Sequence, residues 1–327
     1  MERTYTLILT GPQGSGAADV TELVQSVSWV GRIGQIAREL RVALAVPRDG
    51  SVEPPFLEEG AGLCLQAEGK TLFTGQILQC TTTTRNSIVD LTALDRGRFL
   101  AGNEGWFQFK DADAAGAAAK VCLEFGIPTG VMASNGTVTR KFAGVALDKI
   151  VSTIYTLAGE QTGKRYLPRF TGDGRLEVVE KPEAAAFEIV QTMGVTNTWN
   201  ISKLCNSVAI YTQDGKPVRR VENSASQTVN GRLEHAVIQA KGKDAGAEAA
   251  AWLEDHGLQQ NLTVEVLEPP LNLICGEAVI LRDTGSGVSG LFWVDADTHT
   301  WKNGQHFGKF TLNFRNIMGM ASAGSGG

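Results

Sequence analysis

The sequence predicts a β-rich α+β protein built around antiparallel sheet, and three observations predict it. The first is residues 24–46, VQSVSWVGRIGQIARELRVALAV. Leu40, Val42, Leu44 and Val46 alternate there with Glu39, Arg41, Ala43 and Ala45, and Val27 and Trp29 alternate with Ser26, Ser28 and Val30. Side chains alternate across a strand with period two, so this is a pair of half-buried strands joined by a loop with Gly31 and Gly34. Strands of a parallel core are usually apolar on both faces, so the pair reads as antiparallel. The second observation is about six such strands before residue 96 without a convincing helix, the signature of a small barrel or sandwich. The third is that helical spacing is confined to the middle of the chain and one later stretch, with strand character returning from Phe187.

In order, residues 4–10 (TYTLILT) form a first strand. The following GPQGSGAADV resembles a phosphate-binding loop, but no Lys-Ser or Lys-Thr pair follows the glycines. A flexible hairpin loop is the better reading. After the opening pair comes a Pro-rich loop, 52–62. GLCLQAE and TLFTGQILQC then flank Gly69-Lys70, a tight turn. TTTTRNSIVDLTALD closes the run with Ile88, Asp90 and Thr92 opposite Val89, Leu91 and Ala93.

Beyond Arg96, Asp111 and Asp113 open a helix with Ala118, Val121, Cys122 and Phe125 on its buried face, ended by Gly126 and Pro128. A second helix carries Leu147, Ile150, Val151, Ile154 and Leu157, with Gly159 as its stop. YLPRF and RLEVVEK flank the turn TGDG. From Phe187 the strands are FEIVQTM, TNTWNISKLCNSVAIYT, PVRRVEN, RLEHAVIQA, LTVEVLE, EAVILRD, GLFWVDADT and FGKFTLNFRNI. One helix interrupts at 244–258, with Asp244 as N-cap and His256 and Gly257 at its end. The tail MGMASAGSGG is small, polar and expected to be mobile. The domains expected are 1–96, 97–185 (α+β) and 186–317, with 318–327 a flexible tail. Trp29 leading into LRVALAV is faintly echoed by Trp199 leading into CNSVAIY, as if the outer thirds were two versions of one β architecture.

Composition narrows the function. The chain is 43% hydrophobic and 20% charged, so it can bury real cores, and its 327 residues suit two or three domains. A net charge of −5, with no Lys/Arg run interleaved with aromatics, argues against nucleic-acid binding. Lys241 and Lys243, flanking a glycine, read as a solvated loop. No apolar run approaches the ~18 residues of a membrane span, and MERTYTLILTGPQG is charged at once, unlike a signal peptide. Cys64, Cys80, Cys122, Cys205 and Cys275 are odd in number and widely spaced, and read as buried small hydrophobes in a reducing cytoplasm.

No residue is assigned a catalytic, cofactor-binding or metal role. His235, His256, His299 and His306 form no H-E-x-x-H, and there is no C-x-x-C and no G-x-S-x-G. His299 and His306 flank WKNGQ, a hairpin turn. Asp95 with Glu104, or Asp295 with Asp297, are the carboxylate pairs to weigh for glycoside hydrolysis, and the second pair also for a cation; solvated strand ends explain both. A chain this long without a plausible site points to a structural role. Trp106, Phe107 and Phe109 in GNEGWFQFK read either as domain-packing core or as a subunit interface, where aromatics are enriched.

Several segments together resemble one family. They are VQSVSWVG with IARELRVALAV; LFTGQIL and the strand to LTALDRGRFL; YTLAGEQTGKRYLPRF with GDGRLEVVEKP; LCNSVAIYTQDGKPV with RLEHAVIQ; and EAVILRDTGSGVSGLFWVDADTHTWKNGQHFGKFTLNF. Their order and spacing resemble the XkdQ-type baseplate hub proteins of PBSX-like phage tails and related contractile particles. Those are similar in turn to the late-control-D proteins and the T-even phage hub. GPQGSGAA and the Gly-Ser tail have no counterpart in that pattern. The resemblance implies two tail-tube-like antiparallel β-barrel domains around an intervening α+β domain. It implies a homotrimer that adapts a threefold central spike to the sixfold tail tube and nucleates that tube. Its partners would be the spike, a tube or tube-initiator protein and other baseplate proteins, with no cofactor and no membrane insertion. It would be assembled in the bacterial host cytoplasm and reside in the baseplate of a virion or tail-like particle. The readings from other classes are a tail-associated peptidoglycan hydrolase and a carbohydrate-binding β module that stacks sugars on Trp106 or Trp301.

Overall fold

A computed structural model describes residues 5–47, 57–83, 86–240 and 244–326. Lys241 and Lys243, and the first part of the Pro-rich loop, lie outside the described residues. The chain forms two compact units, 1–195 with 263–327, and 196–262.

The first unit begins with β1 (Tyr5–Thr10), β2 (Ala17–Asp19), β3 (Val24–Arg32), β4 (Glu39–Ala45), β5 (Gly62–Ala67), β6 (Lys70–Thr82) and β7 (Ile88–Asp95). All pairings among them are antiparallel. The Gly-rich loop closes the β1–β2 hairpin, with Gly11 N–H donating to Gly16 O at 2.9 Å. Glu68 and Gly69, with φ of 51° and 72°, make the tight β5–β6 turn, a backbone form that glycine accepts without strain. Alternation puts Val27, Trp29, Leu40, Val42, Leu44, Val89, Leu91 and Ala93 in one core with Leu7, Leu9, Leu63, Leu65 and Phe73.

The middle elements are α1 (Gly97–Ala101), β8 (Glu104–Asp113), α2 (Ala114–Glu124), β9 (Thr129–Met132), β10 (Thr137–Ala146), α3 (Leu147–Thr162), β11 (Tyr166–Phe170) and β12 (Leu176–Glu180). The Asp113 carboxylate caps α2 by accepting from Gly116 N–H at 2.9 Å. Helix α3 runs past Gly159 and ends at Gly163, which takes the left-handed form with φ 73°. Gly159 lies inside the helix, where a Cβ would meet Lys164 O at 3.0 Å and the Met318 sulfur at 3.2 Å, so the glycine leaves room for both. Strand β8 resolves the aromatic cluster by alternation. Phe107 and Phe109 enter the core against Phe142, while Trp106 is 73% exposed.

The last part adds β13 (Phe187–Ile189), β14 (Gly194–Asn200), β15 (Ser207–Thr212), β16 (Pro217–Glu222), α4 (Ser224–Asn230), β17 (Glu234–Gln239), α5 (Gly246–Asp255), β18 (Gln259–Leu267), β19 (Ala278–Asp283), β20 (Val288–Lys302), β21 (Gln305–Asn313) and β22 (Ser325–Gly326). Here the structure departs from the expected pair of barrels. Strands β18, β21, β20, β3, β4, β7, β6, β5, β1 and β2 follow one another in a single open path, and no barrel closes among the described residues. The reason is the antiparallel pairing of β20 with β3 over 296–302 and 26–32, which uses the edge that closure of the first strands would need.

The second unit is a small α/β sheet. Strand β15 pairs antiparallel with β16 and parallel with β17. One face packs Val208, Ile210 and Val237 on Ala245 and Ala249. CNSVAIY therefore belongs to a mixed three-stranded sheet, whereas LRVALAV lies in an antiparallel stretch of the large one, and Trp199 is exposed where Trp29 is buried. The echo between them is not structural. Helix α5 starts later than expected, although the Asp244 carboxylate still accepts from Gly246 N–H at 2.9 Å.

Two further expectations are corrected. The cysteines are free, and Cys122, Cys205 and Cys275 are buried, but Cys80 is exposed and Cys64 half-buried, because their strands turn those positions outward. The tail is tied down: Lys181 Nζ donates to Ile317 O at 2.6 Å, and β22 pairs with β10.

Candidate functional site: a buried polar junction on the β3–β20 seam

The sequence puts five polar side chains where the core should be apolar: Arg38, Asp95, Asp297, His299 and His306 are all buried. Each is held by the element that brings it in. Arg38 directly precedes β4, and its guanidinium pairs with the Asp297 carboxylate, Nη1 donating to Oδ1 at 3.0 Å and Nη2 to Oδ2. It also lies 3.9 Å over the Trp29 ring. Gly31 stands opposite Asp297 in the β3–β20 register, and a Cβ there would be 2.2 Å from Arg38 Nη1. Gly31 is thus what admits the guanidinium to the seam.

Asp297 Oδ1 also accepts from Cys275 N–H at 2.7 Å. Asp95 accepts from Arg38 N–H at 3.0 Å and from Gly97 N–H at 2.8 Å. Burial nevertheless holds its carboxyl up at about 6, against those hydrogen bonds and the nearby Arg38 charge. His299 Nε2 lies 2.9 Å from Leu273 O, and its Nδ1 lies 3.0 Å from His306 Nε2. A carbonyl only accepts, so His299 donates through Nε2 and receives the His306 Nε2 proton at Nδ1. That arrangement needs a neutral His299 ring, because its Nδ1 accepts. Burial lowers the pKa of His299, and burial with the neighbouring His299 pushes His306 down to about 3.

The expected hairpin turn between the histidines is present, with Asn303 and Gly304 at φ 54° and 74°. The carboxylate pairs are not brought together as sites. Asp295 sits at a bulge between Val294 and Ala296 and receives Asn313 Nδ2 at 2.7 Å, while Asp297 is committed to Arg38. Asp95 is committed to backbone N–H groups and Glu104 is exposed at the start of β8. Trp301 is buried, stacked on His306 with centroids 4.4 Å apart, and offers no platform to a sugar. His235 and His256 stack on the two faces of Trp252, at 3.9 and 4.0 Å. Among the described residues no group of three or more His, Cys, Asp or Glu is arranged for a metal ion, and no helix is long and apolar enough to cross a membrane.

Chemically the junction is a clamp. It joins the strands before residue 96 to those after residue 270 through charge, hydrogen bonds and stacked rings. Sequence reasoning missed Arg38; the available signal was a cation one residue before a strand together with a glycine inside the partner strand.

These features sit in a chain with recognisable kin. A family profile described as YqbQ-like matches residues 27–313, and the chain belongs to that family. Two relatives from Bacillus subtilis (strain 168) are each 22% identical over 306 residues, 87% of this chain. They are "Uncharacterized protein YqbQ", matched over 90% of its length, and "Phage-like element PBSX protein XkdQ", over 91%. Among solved structures, the 43 kDa tail protein of prophage MuSo2 from Shewanella oneidensis is similar with a TM-score of 0.72 at 12% identity, covering 96% of this chain and 99% of its own. The tail protein from Neisseria meningitidis MC58 follows at 0.68 and 15%, covering 96% and 98%. An E. coli type VI secretion component, described as structurally similar to the T4 bacteriophage tail proteins gp27 and gp5, matches at 0.53 and 11%, covering 92% of this chain and 76% of its own.

Proposed function

We propose that this chain is a structural component of the baseplate of a contractile phage tail or phage-tail-like particle, and that it serves there as the hub. The observation that carries the reading is the end-to-end likeness to the MuSo2 tail protein, which leaves almost none of either chain unmatched. The relative from the PBSX element and the neighbour described as similar to gp27 and gp5 support it. In this reading 1–96 and 186–317 are two β-rich regions flanking 97–185. Three copies would stand between a threefold spike below and a sixfold tube above. The work is mechanical: the hub must transmit load without slipping, and the Arg38–Asp297 clamp fixes β3 against β20 in one register. Of the carboxylates weighed for hydrolysis, Asp95, Asp295 and Asp297 are held by backbone, asparagine and arginine donors and Glu104 lies exposed at the start of β8, which favours a mount over an enzyme.

Imaging of assembled particles by cryo-electron microscopy tests the proposal. The expected result is density for this chain in threefold symmetry between spike and tube. Its appearance in a sixfold ring of the tube, or outside the tail, overturns the hub reading. Native mass measurement complements it: with spike or tube protein added, complexes that contain three 34.9 kDa copies of this chain in addition to the partner's mass are expected.

A further inference from the structure

Two threonines are out of place on α3. Thr153 and Thr156 are buried on a helix face that otherwise carries Ile150, Val151 and Ile154. Their hydroxyl oxygens serve the chain's own C-terminal segment: Thr153 Oγ1 accepts from Ala323 N–H and Thr156 Oγ1 from Ala321 N–H, each at 3.0 Å, while the Thr156 hydroxyl donates to Ser152 O at 2.8 Å. The i, i+3 spacing of a helix brings the two hydroxyls close to the repeat of alternate N–H groups on an extended strand. On the other side Arg140 Nε donates to Ala323 O at 2.9 Å, and Ser325 and Gly326 pair with Lys141 and Arg140 on the free edge of β10. The groove also reads size. A Cβ on Gly324 would meet Lys141 O at 2.4 Å and Phe142 Cδ1 at 2.9 Å, and one on Gly319 would meet Gly34 Cα at 2.4 Å. This is a peptide-docking groove, with donors and acceptors set for an extended segment of small residues.

The occupant is held by polar contacts and not by burial. No described residue after Leu312 is buried, and Met320 is 66% exposed. What holds the segment is hydrogen bonding of its backbone to β10 and to Lys181, Arg140, Thr153 and Thr156, and among the described residues Met318 and Ala323 are its partly buried apolar side chains on the middle core. Every copy of the chain carries the same groove and the same segment, so the same bonds form whichever copy supplies the strand. We infer that residues 317–326 are an exchangeable strap, which closes on its own groove in an isolated chain and on the groove of a second copy when chains are brought together. The inference is independent of the hub reading, since it concerns the purified chain alone.

The test is a disulfide trap in a Cys80→Ser background, which removes the exposed thiol. Lys141 and Ser325 are register partners. A chain carrying both Lys141→Cys and Ser325→Cys is expected to form an intrachain bridge on oxidation, seen as a faster-running monomer. A mixture of one chain carrying only Lys141→Cys and another carrying only Ser325→Cys is expected to yield a covalent two-chain species. Adding Gly324→Val to the Ser325→Cys chain overpacks the groove and should cut that yield about tenfold or more. If the double variant bridges internally while the mixture never cross-links, the strap does not exchange and the inference fails. If the double variant does not bridge, or if Gly324→Val leaves the yield unchanged, the groove does not read this segment and the inference fails as well.

Discussion

Asp297 on the β3–β20 seam and Glu234 on the rim of the β15–β17 sheet each hold arginine, and they do so in different solvents. Asp297 is buried, and Arg38 and Cys275 N–H are its donors. Glu234 is reached by water, and one of its oxygens receives Arg220, Arg232 and Ser207 together. Those hydrogen bonds hold the Glu234 carboxyl down at about 2. A surface pair of this kind is screened and contributes little to stability. The buried pair has a desolvation cost that only the full set of partners offsets, so its value lies in specifying one register. The large sheet is therefore locked by chemistry that fails badly when incomplete. The small unit is trimmed by charges it can lose.

Breaking this contrast begins with Arg38. Arg38→Met leaves Asp297 buried beside one backbone donor and should cost about 3–5 kcal/mol in denaturant unfolding of the first unit. Adding Asp297→Leu should restore most of that loss, because an apolar pair of similar volume carries no desolvation cost. Arg220→Ala in the second unit should leave the unfolding midpoint within experimental scatter. If Arg220→Ala proves as damaging as Arg38→Met, the distinction between the regions collapses.

Acid sharpens the contrast next. His306 titrates at about 3 in the fold against an ordinary 6.5, so the unfolded chain binds more protons as pH falls below 6.5. Its contribution to stability is present above pH 6.5 and is lost progressively on the way down to 3. Asp95 acts in the opposite sense. Its folded value near 6 lies above its ordinary 3.8, so the folded state is the better proton binder between those values, and stability falls as pH rises across that window. Melting curves from pH 3 to 8 should show His306→Phe reducing the acid loss and Asp95→Asn removing the decline between 4 and 6. Neither change should alter local opening of residues 196–262 in hydrogen exchange.

Much of the large sheet was legible in the sequence, because period-two alternation is a local signal: β3, β4, β7 and the β20–β21 hairpin all lie where it puts them. What joins them was not. Pairing of β20 with β3 links residues some 270 positions apart, and nothing local marks which edge a strand will meet. Alternation also cannot separate a strand of the large sheet from β15 in a mixed three-stranded one, since Val208 and Ile210 look the same in either. The short strands β9 and β13 and the helices α1 and α4 are held by tertiary context more than by periodicity. The junction was half visible. His299 and His306 were flagged with the right turn between them, while Arg38 looked like one more polar residue beside a strand. The tail misled because small polar residues usually fray, and here Thr153, Thr156 and Arg140 give its backbone partners.

The smallest effect separates the two regions most cleanly. Gly304 ends the β20–β21 turn at φ 74° and Gly215 ends the β15–β16 turn at φ 80°, so the same substitution can be placed in both. Replacing either by Ala forces a side chain into left-handed backbone and should cost about 1 kcal/mol. The readout should differ in extent. Gly304 closes the hairpin that holds His299 and His306, so Gly304→Ala should raise hydrogen exchange across the first unit, including β3 and β4. Gly215→Ala should raise it only within 196–262. Exchange that spreads from Gly215 into β3 and β4 would erase that difference in extent.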